Sequence, residues 1–354
     1  MANEEIHAKK ADIAPHAHYM RPLDGIRGMA CLFVVAAHIV ILFKIDELPE
    51  WGSMGVVIFF VLSGFLMSTL YADTKFSLDA SVKYMIARFT RIAPPYWVAV
   101  LFAWALYMYM PTYAYQMTPF QMLRSVFFGG NQGVFWSIPP EIQFYVFFLL
   151  LWFSWGKWKA GNRTWGIVAI LLSLAMLVTR EQWGGLMLPS KLHIFLYGFG
   201  AAFLVKSKAI SAQLCTLPAQ VLLSIVTIVY GYCIVTEQSL YVELVFPGLV
   251  GLWVASMSRS TLFTKPFETD TMRLMGAASF SVYLFHDALL RFFADLGVFH
   301  YNIFVNIMLS VLLCLVPPIA FHVLCEKRLN KASKEAALTC FEKIKARWPA
   351  LAKA

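Results

Sequence analysis

Two side chains in one apolar stretch have the chemistry of an acid–base centre. In Leu23-Asp24-Gly25-Ile26-Arg27-Gly28-Met29-Ala30-Cys31-Leu32-Phe33-Val34-Val35-Ala36-Ala37-His38, a guanidinium and an imidazole stand eleven residues apart. Eleven residues make almost three helical turns, so both side chains leave the same face of a helix, roughly 16 Å apart along its axis. That is about half of a hydrocarbon core of roughly 30 Å. The arrangement puts a fixed cation near one membrane surface and a titratable base near the middle. An imidazole can take a proton from a hydroxyl near neutral pH, and a guanidinium offers a planar fork of donors to phosphate. The plainer readings are a helix–helix hydrogen bond for His38 and, for Arg27, a tie to Asp24 that only fixes helix geometry.

Three further groups belong with this pair. Arg88 and Arg91 are three apart, so a helix presents both cations on one face. They read either as a phosphate clamp or as anchors for lipid phosphates. In Trp136-Ser137-Ile138-Pro139-Pro140-Glu141, Ser137 is placed to cap a helix whose first turn holds the prolines. Glu141 then points from the outer start of that span, a position the helix N-terminus favours. In Ser281-Val282-Tyr283-Leu284-Phe285-His286-Asp287, His286 falls near mid-span, where packing or hydrogen bonding is as natural as catalysis. His286 and Asp287 are adjacent and are expected to diverge on a helix. No metal-ligand spacing, nucleophile elbow or Walker loop is present. Ser63-Gly64 reads as small residues allowing close helix packing.

The elements that must hold these groups follow from composition. Of 354 residues, 60% are hydrophobic and only 14% charged, which fits an all-α integral membrane protein rather than a soluble one. Ten apolar stretches, near 23–43, 53–71, 92–110, 134–155, 164–180, 189–206, 218–236, 239–258, 276–298 and 301–325, each approach the length of a transmembrane helix. If both termini are cytoplasmic, 24 of the 29 Lys and Arg fall on the inner side. The net charge of +9 therefore reports orientation, with no nucleic-acid partner implied. The first 22 residues, with Lys9 and Lys10, form a polar cytoplasmic segment without a cleavable signal. Residues 23–325 form the membrane domain, and 326–354 a basic amphipathic cytoplasmic tail. Thr118 and Pro119 predict a short interfacial helix between the third and fourth spans. The six scattered cysteines suggest neither a disulfide framework nor zinc.

These residues together resemble the membrane acyltransferase-3 family, the O-acyltransferases of bacterial surface polysaccharides, lipopolysaccharide O-antigens and exopolysaccharides. The resemblance runs from Leu23 to about His322. It rests on Leu-Asp-Gly-Ile-Arg-Gly with Arg27 and His38 spaced Arg-x10-His, on Phe59-Phe60-Val61-Leu62-Ser63-Gly64-Phe65, and on Arg88-x-x-Arg91 before an aromatic-proline segment. Trp136-Ser137-Ile138 with Glu141, and Ser281 to His286, complete it. Pro139-Pro140 departs from the family pattern, and the extracytoplasmic hydrolase-like domain many relatives carry is not found in this chain.

What the resemblance implies is a multi-pass enzyme of the bacterial cytoplasmic (inner) membrane. It would take acyl-CoA, most simply acetyl-CoA, as co-substrate, hold no permanent cofactor or metal, and act on an extracytoplasmic polysaccharide or lipid-linked glycan. Arg27, Arg88 and Arg91 would hold the CoA phosphates. His38 would be general base or transient acyl carrier, and Glu141 would orient the acceptor or stabilise the protonated imidazole. Trp136, Ser137, Tyr283 and His286 would support the acceptor. The alternatives are an acyltransferase for a non-glycan acceptor, or a proton-coupled transporter or flippase using His38, Glu141 and His286 as a relay. No internal symmetry of the kind such transporters show is visible.

Overall fold

The computed structural model describes residues 20–45, 51–110, 113, 115–235 and 239–347. The expected N-terminal segment, with Lys9 and Lys10, therefore lies outside the described residues apart from its last three, as does the end of the tail. Among the described residues the chain is helical, without strands. In order come α1 (Arg21–Leu42), α2 (Gly52–Tyr71), α3 (Leu78–Tyr109), α4 (Pro119–Val126), α5 (Ile138–Lys159), α6 (Thr164–Val178) and α7 (Leu192–Lys206). Then follow α8 (Lys208–Leu214), α9 (Leu217–Val235), α10 (Val245–Ser256), α11 (Asp270–Asp295), α12 (Ile303–Phe321) and, after a π turn at His322–Glu326, α13 (Lys327–Arg347).

Each expected apolar stretch contains a helix, but length and composition qualify only six to cross a membrane: α1, α2, α3, α5, α9 and α12. A seventh results if α7 and α8, bent by 105° at their junction, form one span. The differences from ten have local causes. The stretch 239–258 yields only the 12-residue α10, because the Glu243 carboxylate turns back to accept the N–H groups of Val245 and Phe246 and starts the helix there. In α11, His286, Asp287 and Arg291 lower the hydropathy of a helix 26 residues long. The third stretch is longer than expected, since α3 runs from Leu78 straight through Pro94 and Pro95. Those prolines leave the carbonyls of Thr90 and Arg91 without their helical donors.

The centre is set by two close helix pairs. α1 and α11 run side by side in the same direction, with Gly28 against Gly276; a Cβ on Gly276 would stand 1.9 Å from the Asp24 carbonyl oxygen. α2 and α7 cross at Gly64 and Gly198, where added Cβ atoms would meet Phe195 and Val61 carbonyl oxygens at 2.0 and 1.9 Å. Phe195 then stacks between Phe60 and Phe144, at 4.6 and 4.3 Å, joining α2, α7 and α5.

Two peripheral pieces matter for the site. The expected short helix is α4, with a complete capping box between Thr118 and Gln121. Its C-terminal end is held by Tyr96 and Trp97, which donate to the carbonyls of Ser125 and Val126 about halfway along α3. The basic tail is α13, which folds back along α3. Lys345 lies 2.5 Å from Asp79, and Lys83 lies 2.8 Å from Asp79 and 3.5 Å from Glu342.

The α1–α11 contact predicts a specific sensitivity. Gly276→Ala forces Asp24 and its neighbours apart and should cost about 1–3 kcal/mol, read as a lower unfolding midpoint in detergent. Gly200→Ala in α7, where a Cβ meets nothing within 4 Å, should leave the midpoint unchanged or slightly raised. Equal effects would contradict the packing described.

Candidate active site

Six of the expected residues line one narrow cavity of about 70 Å³: Arg27 from α1, Arg88 and Arg91 from α3, Ser137 and Glu141 at the start of α5, and Tyr283 from α11. Three guanidinium groups thus face one carboxylate. Glu141 Oε1 already accepts hydrogen bonds from the hydroxyls of Ser63 (2.9 Å) and Tyr145 (2.6 Å). Arg88 donates to the Tyr71 hydroxyl at 3.2 Å and lies over its ring. A half-buried pocket with this excess of Arg favours an anion, and guanidinium is suited to phosphate oxygens.

Glu141 lies in the first turn of α5, as expected from sequence. The connection before α5 sets the helix start against the middle of α11. Tyr113 donates to the Ala288 carbonyl, and the Tyr283 hydroxyl lies 2.8 Å from Ser137 Oγ and 3.1 Å from the Val134 carbonyl oxygen. Ser137 does not cap α5 through its side chain, contrary to expectation. Its hydroxyl donates to the Val134 carbonyl and receives Tyr283 instead. The prolines do occupy the first turn as expected. Trp136 packs between Phe60 and Tyr241 beside the cavity. Ser63, taken from sequence as packing alone, has a second role as a donor to Glu141.

His38 lies beyond this cavity, on another of about 160 Å³ that it shares with Asp287 and Arg291. Its Nδ1 is 3.1 Å from Asp287 Oδ1, and the ring is 22% exposed against 2% for the carboxylate. Asp287 is also held by Arg291 Nε at 2.9 Å and by the Tyr115 hydroxyl at 2.5 Å. A carboxylate this close favours the protonated imidazole through charge and leaves Nε2 to exchange the proton. His286 packs against the same ring, with centroids 4.9 Å apart. Its Nδ1 lies 3.0 and 2.9 Å from the carbonyl oxygens of Val282 and Tyr283. Carbonyls only accept, so Nδ1 carries the proton and Nε2 keeps its lone pair.

His286 and Asp287 therefore do not diverge in effect: α11 lies so close to α1 that consecutive residues reach both sides of His38. The carboxylate beside His38 is Asp287, not Glu141. A carboxylate and a guanidinium four residues apart within an apolar run were the sequence signal for Asp287 and Arg291. Nothing in the sequence points to Tyr115, which comes from the connecting segment. The two cavities are separated by the rings of Phe59 and Tyr283, 5.9 Å apart, with Tyr283 6.0 Å from His286.

The cationic cavity and the His38–Asp287 pair lie on α1 and α11 within a multi-pass helical membrane protein. Residues 21–324 match the Acyl_transf_3 family, described as an acyltransferase domain, and the chain belongs to that family. It is 23% identical over 346 residues to a Staphylococcus aureus protein (strain MSSA476) named "Putative O-acetyltransferase", covering 83% of this chain and 55% of that one. It is 22% identical over 313 residues to the peptidoglycan O-acetyltransferase OatA of Listeria monocytogenes, covering 76% and 49%. A shorter match, 37% over 79 residues, is to protein 2 in the picA locus of Rhizobium radiobacter, covering 22% of this chain and 40% of that one. The chain spans about half the length of the first two relatives. No solved structure gives a match.

The Tyr115–Asp287 bond can be tested by itself. Tyr115→Phe leaves a buried carboxylate oxygen and the Val134 N–H, which the same hydroxyl accepts at 3.2 Å, short of partners. A stability loss of roughly 2–3 kcal/mol is expected in denaturant unfolding, against almost none for the exposed Tyr301→Phe.

Proposed function

We propose that this chain is a membrane O-acyltransferase that moves an acetyl group from acetyl-CoA to a hydroxyl of an extracytoplasmic glycan. The basic face, with Arg27, Arg88, Arg91 and α13, is cytoplasmic, and both termini lie there across ten spans. The observation that carries this reading is the alignment of an anion-favouring cavity with an imidazole–carboxylate pair on two shared helices. Membership of the acyltransferase family supports the reaction class. The carbohydrate acceptor is supported by the name of the Listeria relative and by the resemblance to exopolysaccharide and O-antigen acylating enzymes.

In this mechanism Arg27, Arg88 and Arg91 bind the pyrophosphate of acetyl-CoA. The pantetheine arm runs along the face of α1 past Phe59 and Tyr283 towards His38. The acceptor hydroxyl enters from the opposite face through the cavity beside His38. His38 Nε2 takes the hydroxyl proton as the oxygen attacks the thioester carbonyl carbon. The C–S bond breaks, and the imidazolium returns the proton to the CoA sulfur. Asp287 stabilises the imidazolium at Nδ1, and Arg291 and Tyr115 hold Asp287. His286 packs against His38 and keeps its ring in place. Glu141 orients Arg27 and the other guanidinium groups of the donor cavity and is itself fixed by Ser63 and Tyr145.

The test uses the full chain in nanodiscs with radiolabelled acetyl-CoA and a soluble glycan acceptor, recording binding and free thiol separately. His38→Ala should bind acetyl-CoA within about twofold of wild type and release thiol at least on the order of 100-fold more slowly. Asp287→Asn should lower turnover to a similar extent, because the imidazolium loses its counter-charge. If wild type neither binds nor consumes acetyl-CoA, the assignment is wrong and the transporter alternative replaces it.

A further inference from the structure

A second, wider cavity of about 790 Å³ adjoins the first and shares Arg27 and Arg91 with it. One wall is the start of α11. The other is the π turn and the first two turns of α13, of which α13 lies beyond residue 324 where the family match ends. Lys327, Lys331 and Lys334 all line it. Their spacing of four and three residues puts them on one face of α13, one above the other. The same walls carry three acidic residues, Asp24, Asp270 and Glu326, against six Arg and Lys. Asp270 pairs with Arg273 at 3.2 Å, and Glu326 accepts from Ser281 at 2.5 Å and lies 2.7 Å from His322 Nδ1. Lys331 has only a distant, exposed partner in Glu335, at 4.0 Å. The position of the whole face is fixed by the far end of α13, through Lys345 and Glu342 on Asp79 and Lys83 of α3. Because α3 also carries Arg88 and Arg91, the lysine face and the guanidinium groups are held in one frame.

We infer that this vestibule binds the nucleotide end of the acyl-CoA, with the lysine face of α13 taking the 3′-phosphate of its ribose. The inference rests on the acyl-CoA reading above and extends it to residues outside the family match. The order of groups along the ligand matches the order of cations in the protein. With the thioester towards His38, the pyrophosphate reaches the throat at Arg27 and Arg91. The ribose and its 3′-phosphate then emerge into the vestibule. Flexible, mostly exposed lysines suit that terminal phosphomonoester, which needs charge more than a fixed fork geometry. The same cations could meet an anionic lipid headgroup, a phosphate of the same chemistry, so the experiment must separate the two.

Calorimetric titration of the full chain in phosphatidylcholine nanodiscs compares acetyl-CoA with 3′-dephospho-acetyl-CoA, for wild type and for Lys331→Ala/Lys334→Ala. Wild type should prefer acetyl-CoA by about tenfold, the size of one charge-assisted phosphate contact. The double variant should lose about tenfold in affinity for acetyl-CoA and be unchanged for the dephospho ligand. Neither lysine takes part in the latch to Asp79, so the unfolding midpoint should not move. Lys331→Arg/Lys334→Arg, which keeps both charges, should retain the preference. Equal weakening of both ligands, or a wild type that does not distinguish them, would overturn the assignment. So would an effect that appears only when phosphatidylglycerol is included, which would assign the lysines to lipid headgroups. A wild type that binds neither ligand would instead remove the acyl-CoA reading itself.

Discussion

The arrangement depends on burying one carboxylate. Asp287 is 2% exposed among membrane-type helices, and an ion placed there is costly unless it is paired and fully hydrogen-bonded. Three elements converge to meet that need. α1 brings His38, α11 supplies Arg291 from its own next turn, and the segment before α5 folds inward to deliver Tyr115. Each has consequences elsewhere. α1 can reach Asp287 only because Gly28 and Gly276 let it lie against α11. The fold around Tyr115 sets the start of α5 against the middle of α11, and this places Ser137 and Glu141 in the cavity with the guanidinium groups. The satisfied carboxylate therefore explains both the placement of His38 and the position of a second acidic group on a different helix.

What was legible in the sequence was what a single helix encodes. Arg27 and His38 fall on one line because the spacing alone fixes it, and α1 runs unbroken over both. Arg88 and Arg91 share a face for the same reason, and both reach the cavity. The Thr118 cap of α4 was equally local. What was not legible arises between helices. His38 and Asp287 are far apart in sequence, and their meeting depends on a glycine contact whose partner no spacing reveals. Ser63 looked like a packing residue because its neighbour Gly64 is one, where an added Cβ would stand 2.0 Å from the Phe195 carbonyl oxygen. That it also donates to Glu141 depends on where α5 begins. The lengths of α10 and α3 were misread for a related reason. Hydropathy marks apolar runs, but Glu243 decides where one helix starts, and Pro94-Pro95 failed to stop another.

The two cavities divide the chemistry by polarity. The first holds three guanidinium groups around a carboxylate already occupied by two hydroxyls, so its positive charge is only partly compensated by the protein. The second holds a carboxylate met by one guanidinium, one hydroxyl and an imidazole. The rings of Phe59 and Tyr283 stand between them. An anion is thereby favoured on one side and a neutral, proton-bearing group on the other. This matches a donor with phosphates and an acceptor with a hydroxyl. Tyr283 belongs to both halves, since it lines the first cavity, contacts His286 and fixes Ser137. A change in its position would couple the two.

The irregular elements fall where such coupling needs them. Non-helical backbone at membrane depth is tolerated when it is buried in protein or lines a wet cavity. The segment leading into α5 is buried and lines the cavity, with the N–H and C=O of its Val134 taken up by Tyr115 and Tyr283. The π turn at His322–Glu326 is the counterpart on the basic face. It buries Glu326 against Ser281 of α11 and redirects the chain so that α13 lies along α3. Straight helices would have left α3 unrestrained beside the cavity and the α13 lysines pointing away from it. The breaks in helical regularity are thus what bring cations from the two ends of the sequence around one opening.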